Sequence, residues 1–265
     1  MAAFACDLDR TLIGEDAVLH PRTRAALRAA RGAGIHVILV TGRMFISVRP
    51  YALEAGLDDP VICYQGAVVA EPVSGRWLRH EPIELTRARE AIAVVQAEGY
   101  GLNCYVDDRL YVAEITPAAR RYADFQHLEL HPVGPLLDWL DRPPTKLVVI
   151  DDPVELDGLE ARLKSHFGDR LYISKSLPIF LEFASPDVTK AAGLQFLADR
   201  VGFSPEETVG FGDGENDVEL LEWAGFGVAV ANAHERVLAV SDMVCPDVYD
   251  EGVAQVIEAY LDSRT

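Results

Sequence analysis

Short, wholly apolar runs alternate along this chain with longer stretches in which apolar residues return every three or four positions. The first run, 1–6, predicts a buried strand. Residues 21–33, rich in alanine and arginine, open on Pro21 and close at Gly32 and Gly34, the asymmetry expected of a helix. The apolar run 35–40 predicts a buried parallel strand. A helix interrupted near Pro50 follows, then short strands at 61–64 and 68–70, a turn at 72–75 and the strand-like Trp77-Leu78. Strand, helix, strand, helix, strand predicts a Rossmann-like, doubly wound and mostly parallel sheet with right-handed crossovers.

The middle of the chain changes period. A helix at 86–98 is followed by strands at 102–106 and 110–114 around Asp107-Asp108-Arg109, a hairpin signal. Residues 117–128 are helical in pattern, and proline-rich connectors surround Pro132, Pro135 and Pro143-Pro144. A strand at 146–150, an amphipathic helix at 153–166 and strands at 171–174 and 179–183 complete an α+β insert. The expected organisation is therefore a first core segment at 1–82, an inserted α/β cap domain at 83–185, and a second core segment at 186–265. That last segment resumes the opening pattern, with helices at 189–201, 215–223, 234–240 and 252–261 and strands at 208–212 and 226–230.

Composition adds limits. The 265 residues are 49% hydrophobic and 25% charged, as in soluble globular proteins. A formal net charge of -18 disfavours nucleic acid and anionic membrane surfaces as partners, and it means that an anionic substrate needs local cations. Cys6, Cys63, Cys104 and Cys245 show no C-x-x-C spacing and read as reduced thiols. With no apolar run long enough to span a bilayer and no signal-like start, a cytoplasmic location is expected. Monomer is the default oligomeric state.

Four strand ends carry polar residues able to meet in one crevice beyond the sheet's carboxyl edge, where open α/β sheets bind ligands. Asp7 and Asp9 follow the first strand; being one residue apart, they point to the same side. Such a pair repels itself unless a cation, a proton or a positive partner intervenes. Thr41-Gly42-Arg43 follows the second strand and offers a hydroxyl and backbone amides to a phosphate, or is simply a turn. Lys190 lies at a helix start, where the dipole disfavours a cation, so a nearby anion explains it better than capping, or it is simply a solvated surface lysine. Gly210-Phe-Gly-Asp-Gly-Glu-Asn-Asp217 places Asp213, Asn216 and Asp217 on one glycine-rich turn, an oxygen set suited to a hard cation such as Mg2+, or is an ordinary surface turn. Rossmann and P-loop glycine spacings are absent.

Taken together, Asp7-Leu-Asp-Arg-Thr-Leu12, Thr41-Gly42-Arg43, Lys190 and Gly212-Asp-Gly-Glu-Asn-Asp217 resemble the four ordered motifs of the haloacid dehalogenase superfamily. Gln65-Gly66-Ala67, Leu181-Glu182-Phe183 and the insert resemble its Cof-like sugar-phosphatase branch. The resemblance covers essentially the whole chain. It implies a Mg2+-dependent phosphatase acting on small phosphorylated metabolites, sugar phosphates or related phosphomonoesters. Asp7 would be the nucleophile and Asp9 the acid and base. Mg2+ would be held by Asp7, the Asp9 carbonyl and Asp213, with Asp217 behind them. Thr41, Gly42 and Lys190 would hold the phosphoryl group, and Asn216 would orient the loop and touch phosphate.

Glycine is usual in that family where this chain has Arg10. Arg10 either contacts substrate at the crevice mouth or faces solvent or an acidic surface residue, and Arg43 poses the same choice. In the insert, Lys175 and Ser176, expected in a loop between the last two strands, are the candidates for substrate contact, or else exposed hairpin residues. Two further functions stay open: a phosphotransferase or mutase using the same aspartyl-phosphate, and a catalytically silent regulatory or binding protein.

Overall fold

The computed structural model describes residues 1–264, apart from the side chain of Phe125. The chain divides into two compact units, Met1–Arg79 with the chain from Thr189 onward, and His80–Val188. The first unit opens with β1 (Ala3–Cys6), α1 (Pro21–Gly32), β2 (His36–Leu39), α2 (Phe45–Ala55), β3 (Val61–Cys63), β4 (Val68–Ala70) and β5 (Trp77–His80). The second holds α3 (Leu85–Ala97), β6 (Asn103–Val106), β7 (Arg109–Val112), α4 (Pro117–Gln126), β8 (Leu130–Pro132), α5 (Leu136–Trp139), β9 (Lys146–Ile150), α6 (Pro153–Phe167), β10 (Tyr172–Leu177) and β11 (Phe180–Ala184). The chain then returns to the first with α7 (Lys190–Val201), β12 (Thr208–Gly212), α8 (Val218–Trp223), β13 (Phe226–Val230), α9 (Glu235–Val240), β14 (Met243–Cys245) and α10 (Gly252–Asp262).

All four residues of β1 are buried, as a strand covered on both faces requires. It is interior to a five-stranded parallel sheet of order β14-β13-β12-β1-β2. Ala3, Ala5, Ile38, Val40, Leu194, Leu197 and Leu220 build the core on one face, under α7 and α8. Register decides where the polar residues go. Cys6 lies opposite Phe211 on one side and Leu39 on the other, so the carboxyl ends of β1, β2 and β12 are nearly level. Asp7, Thr41 and Asp213 therefore leave the sheet along the same edge.

The expected continuation of this sheet at 61–64 differs in detail. β3 turns back after three residues and pairs antiparallel with β4 in a separate three-stranded sheet, β3-β4-β5. It meets the parallel sheet at the Val40–Ile62 bridge, where the Thr41 N–H donates to the Ile62 carbonyl at 2.8 Å. A reversal as short as Tyr64–Gly66 leaves no room for the crossover that parallel pairing needs.

The second unit is a six-stranded sheet of order β10-β11-β9-β6-β7-β8, antiparallel except for the β7–β8 pair. Its core joins Ala88, Ile92 and Val95 of α3 and Leu156, Leu159 and Leu163 of α6 to Cys104, Leu147, Val149, Leu181 and Phe183 of the strands. The sequence pattern did not foretell β8, α5 or β14. β8 contains Pro132, whose missing N–H is tolerable at the sheet edge it occupies. β10 runs through Leu177, so Lys175 and Ser176 belong to a strand and not to the expected loop. The four cysteines are buried, and none of them forms a disulfide among the described residues. Among the described residues no helix is long and apolar enough to cross a membrane.

Candidate active site

Asp7 begins where β1 ends; its backbone N–H donates to the Phe211 carbonyl at 2.9 Å, which anchors it to the sheet edge. Its side chain is 5% exposed. Lys190 reaches it from the first residue of α7. Thr189 caps that helix, its Oγ1 accepting from the Ala192 N–H at 3.0 Å. Lys190 Nζ donates to Asp7 Oδ1 at 2.5 Å and to Asp217 Oδ1 at 2.6 Å, with all three side chains buried. Burial opposes the charge on Lys190, yet the attraction of Asp217 and Asp7 raises its pKa. Burial, then repulsion from Asp217, lifts the Asp7 carboxyl well above the usual range, and Lys190 pulls it part of the way back.

Asp217 uses both oxygens. Oδ1 takes the lysine, and Oδ2 accepts the backbone N–H groups of Asp213 and Gly214, each at 3.0 Å. It therefore folds the glycine-rich turn and fixes Lys190 at the same time. Asp213 accepts from Thr11 Oγ1 at 3.2 Å. Asp7, Asp213 and Asp217 each offer an oxygen within 4.8 Å of one another. Three buried carboxylates facing one lysine leave an excess of negative charge, and an all-oxygen donor set suits a hard divalent cation. These residues fit Mg2+. Both Asp217 oxygens are already engaged by Lys190 and the turn amides.

The Asp213 carboxyl is pushed up to about 7, by burial first and by Asp217 second, against the pull of Arg10, Lys190 and the Thr11 hydroxyl. A carboxyl raised in this way binds its proton more tightly in the folded state. Its stabilising contribution is complete below the usual 3.8 and is lost as pH climbs through about 7. In metal-free protein, Asp213→Asn is therefore expected to gain stability over the wild type progressively between those pH values. Excess Mg2+ should reverse that ranking at neutral pH. Urea denaturation at several pH values, with and without Mg2+, checks both; a pH-independent difference contradicts the assignment.

Asp9 is gripped by Arg43, whose Nε lies 2.8 Å from Oδ2 and whose Nη2 lies 2.5 Å from Oδ1. The arginine side chain is 3% exposed and that of Asp9 37%. The Arg43 guanidinium stacks 5.5 Å from the Tyr51 ring centre. Its forked face is thus turned to Asp9, as a bidentate pair requires. Thr41 Oγ1 accepts from the Arg43 N–H at 3.1 Å, which directs its own proton elsewhere.

Gln65 received no role from the sequence. It adopts φ 60, ψ 18 and is 4% exposed, and its Oε1 accepts from Asn216 Nδ2 at 2.8 Å. A side chain at Gly42 would come within 2.4 Å of Gln65 Nε2. Gln65 thereby joins the Thr41-Gly42 turn to the Asn216 turn. The loop carrying it is pressed on α7: at φ 106, a Cβ on Gly66 would sit 2.0 Å from the Thr189 carbonyl. Gly66→Ala is expected to cost more than the ~1 kcal/mol typical of a left-handed alanine, because the start of α7 has to move. A loss in chemical denaturation of under ~1 kcal/mol would show that this contact is soft.

Arg10 takes φ 61. Its Nη2 donates to the Asn232 carbonyl at 3.2 Å, and its Nε lies 3.6 Å from Asp213 Oδ2. In the second unit, Lys175 pairs with Asp157 and with Glu160 at 3.7 Å. Ser176 donates to Glu182 Oε1 at 2.7 Å, an oxygen that also accepts from buried Lys146 at 3.2 Å. Thr11 and Asn232 were also passed over in the sequence. A hydroxyl two positions beyond Asp9 was the available signal for the first, and nothing local marks the second.

The haloacid dehalogenase-like hydrolase family matches residues 4–257. Pyridoxal phosphate phosphatase YbhA of Escherichia coli is 28% identical over 97% of this chain and 98% of its own. Phosphoglycolate phosphatase of Archaeoglobus fulgidus is 28% identical over 97% and 95%. Among solved structures, a Thermotoga maritima protein superposes with a TM-score of 0.85 at 31% identity, covering 97% of each chain.

Proposed function

We propose, from the premise that this chain belongs to the haloacid dehalogenase-like hydrolases, that it hydrolyses small phosphomonoesters through an aspartyl-phosphate on Asp7. Sugar phosphates and related phosphorylated metabolites are the substrate class. One observation carries the reading above the others: Asp7 stands at the end of a buried central strand with one oxygen fixed by Lys190 and Asp213 close by. A carboxylate is a weak nucleophile towards a dianion, and cations arranged around it lower that barrier. The names of the two phosphatase relatives accord with the same chemistry.

Asp7 would attack phosphorus, forming the acyl-phosphate bond as the bond to the leaving alcohol breaks. Asp9 would give its proton to the departing oxygen and then take one from the water that attacks the acyl-phosphate, restoring Asp7. To reach the leaving oxygen, the Asp9 side chain would turn out of the Arg43 fork. The Thr41 hydroxyl and Gly42 amide would donate to the transferring oxygens. Lys190 would hold Asp7 in line and offset charge on the phosphoryl group, while Gln65 keeps Asn216 against the Thr41-Gly42 turn. Asp7, Asp213 and the Asp9 carbonyl would hold Mg2+, which when bound supplies charge neutralisation for the phosphoryl oxygens.

A phosphate-release screen over sugar phosphates, pyridoxal 5'-phosphate and phosphoglycolate, with Mg2+ or EDTA, tests the reading. Release of free phosphate with water as the sole acceptor, abolished by EDTA, is expected. Turnover that appears only with a second alcohol would make the protein a phosphotransferase. No turnover on any substrate, p-nitrophenyl phosphate included, would remove the proposal.

A further inference from the structure

We propose that Arg10 is a resident counter-cation for Asp213 that sets how tightly the acidic site takes a divalent metal, and is thus a positioning residue for the metal. This rests on the phosphatase reading above. A non-glycine residue at φ 61 is strained, and the strain persists only because the surroundings hold it. Here they do so from several directions. The Arg10 backbone N–H donates to the Ile13 carbonyl at 2.7 Å, and its carbonyl accepts from Asn232 Nδ2 at 2.8 Å. Its guanidinium returns to the Asn232 carbonyl at 3.2 Å. Asn232 is itself fixed, its Oδ1 accepting from the Val248 N–H at 3.0 Å. The arginine side chain is 49% exposed, yet it is tethered at both ends of its length and is not a free surface arm.

Its direction gives the tether meaning. Nε lies 3.6 Å from Oδ2 of Asp213, a carboxylate whose side chain is 6% exposed. The charges of the cluster are thereby shared out: Lys190 serves Asp7 and Asp217, and Arg10 serves Asp213. In the metal-free site Arg10 relieves repulsion among the carboxylates. A divalent ion arriving at Asp213 meets the same positive charge and is repelled by it. One side chain then acts with opposite sign on two quantities, steadying the empty site and weakening its grip on metal.

Two replacements separate the charge from the backbone. Arg10→Gln keeps a long side chain at the strained position and removes the charge; Arg10→Lys keeps both the strain and the charge. In calorimetric titration with Mg2+ alone, Arg10→Gln is expected to bind roughly tenfold more tightly than the wild type at low ionic strength, from one positive charge removed a few ångströms from a divalent ion. Arg10→Lys should stay within about twofold, and added salt should shrink the gain, as it does for any part-exposed charge. Without metal, Arg10→Gln should have a lower urea midpoint than the wild type. Unchanged or weaker Mg2+ binding by Arg10→Gln, or a gain insensitive to salt, overturns the proposal and leaves the phosphatase reading standing. If the wild type shows no Mg2+ binding that Asp213→Asn removes, the metal assignment fails, and this inference fails with it.

Discussion

Asp7→Asn is expected to abolish turnover, lowering kcat by on the order of 10⁴-fold or more, while making the metal-free protein more stable. The two effects share one cause. Asp7 is buried beside Asp217 and Asp213, and its carboxyl is raised by that burial and repulsion. An amide has nearly the same shape and no charge, so it removes the repulsion and leaves Lys190 paired with Asp217. A carboxyl whose pKa is raised in the fold destabilises the fold when ionised, and its neutral isostere relieves that cost at neutral pH. The nucleophile has no substitute, since an amide oxygen cannot form the acyl-phosphate and regenerate. Rates on p-nitrophenyl phosphate and melting temperatures of the two proteins check the pair of effects. Full activity in the Asn variant would end the mechanism, and a fall in stability would mean that Lys190 outweighs the other carboxylates at Asp7.

Lys190→Met should have the second-largest effect, on both stability and activity. Its ammonium is the shared partner of two buried carboxylates, with Asp213 nearby as a third. Removing one side of a buried ionic arrangement costs about 3–5 kcal/mol, because the charges left behind have neither water nor a partner. Adding Asp217→Asn to the same chain removes one of those charges and should restore part of the stability, a coupling expected between groups in direct contact. It should not restore activity, because the lysine would also offset charge on the phosphoryl group. Excess Mg2+ should likewise narrow the stability gap. A single variant as stable as the wild type without metal would mean that the carboxylates are already protonated in the fold.

The placement of Asp7, Thr41 and Asp213 was legible because each directly follows a buried apolar strand, and parallel strands in near-level register deliver such residues to one edge. Lys190 was legible as a cation where the helix dipole disfavours one, and the structure supplies the anions that hold it there. What could not be read were partnerships between residues far apart in the chain. Arg43 and Arg10 both sit beside a polar motif, and spacing left each open between substrate contact and pairing with an acidic residue or solvent. The first closes on Asp9 and the second on Asp213 and Asn232, choices that depend on loop geometry and not on spacing. Gln65 was hidden because its role comes from a left-handed backbone and from the absence of a side chain at Gly42. In the second unit the strand β10 ran beyond its expected end, because Lys175 and Ser176 are polar yet have partners within the sheet or on α6. Polarity alone reads as loop; paired polarity does not.

The covalent step is the centre of this mechanism, and it can be caught directly. The protein, slowed by Asp9→Asn so that hydrolysis lags behind phosphorylation, is mixed with radiolabelled acetyl phosphate and Mg2+ and quenched in acid within a fraction of a turnover. The expected result is a near-stoichiometric, base-labile label on the chain that borohydride reduction and peptide mass analysis locate at Asp7 and that Asp7→Asn lacks. Phosphate release by the wild type at the normal rate, with no label on Asp7 at any quench time in the slowed protein, would contradict it.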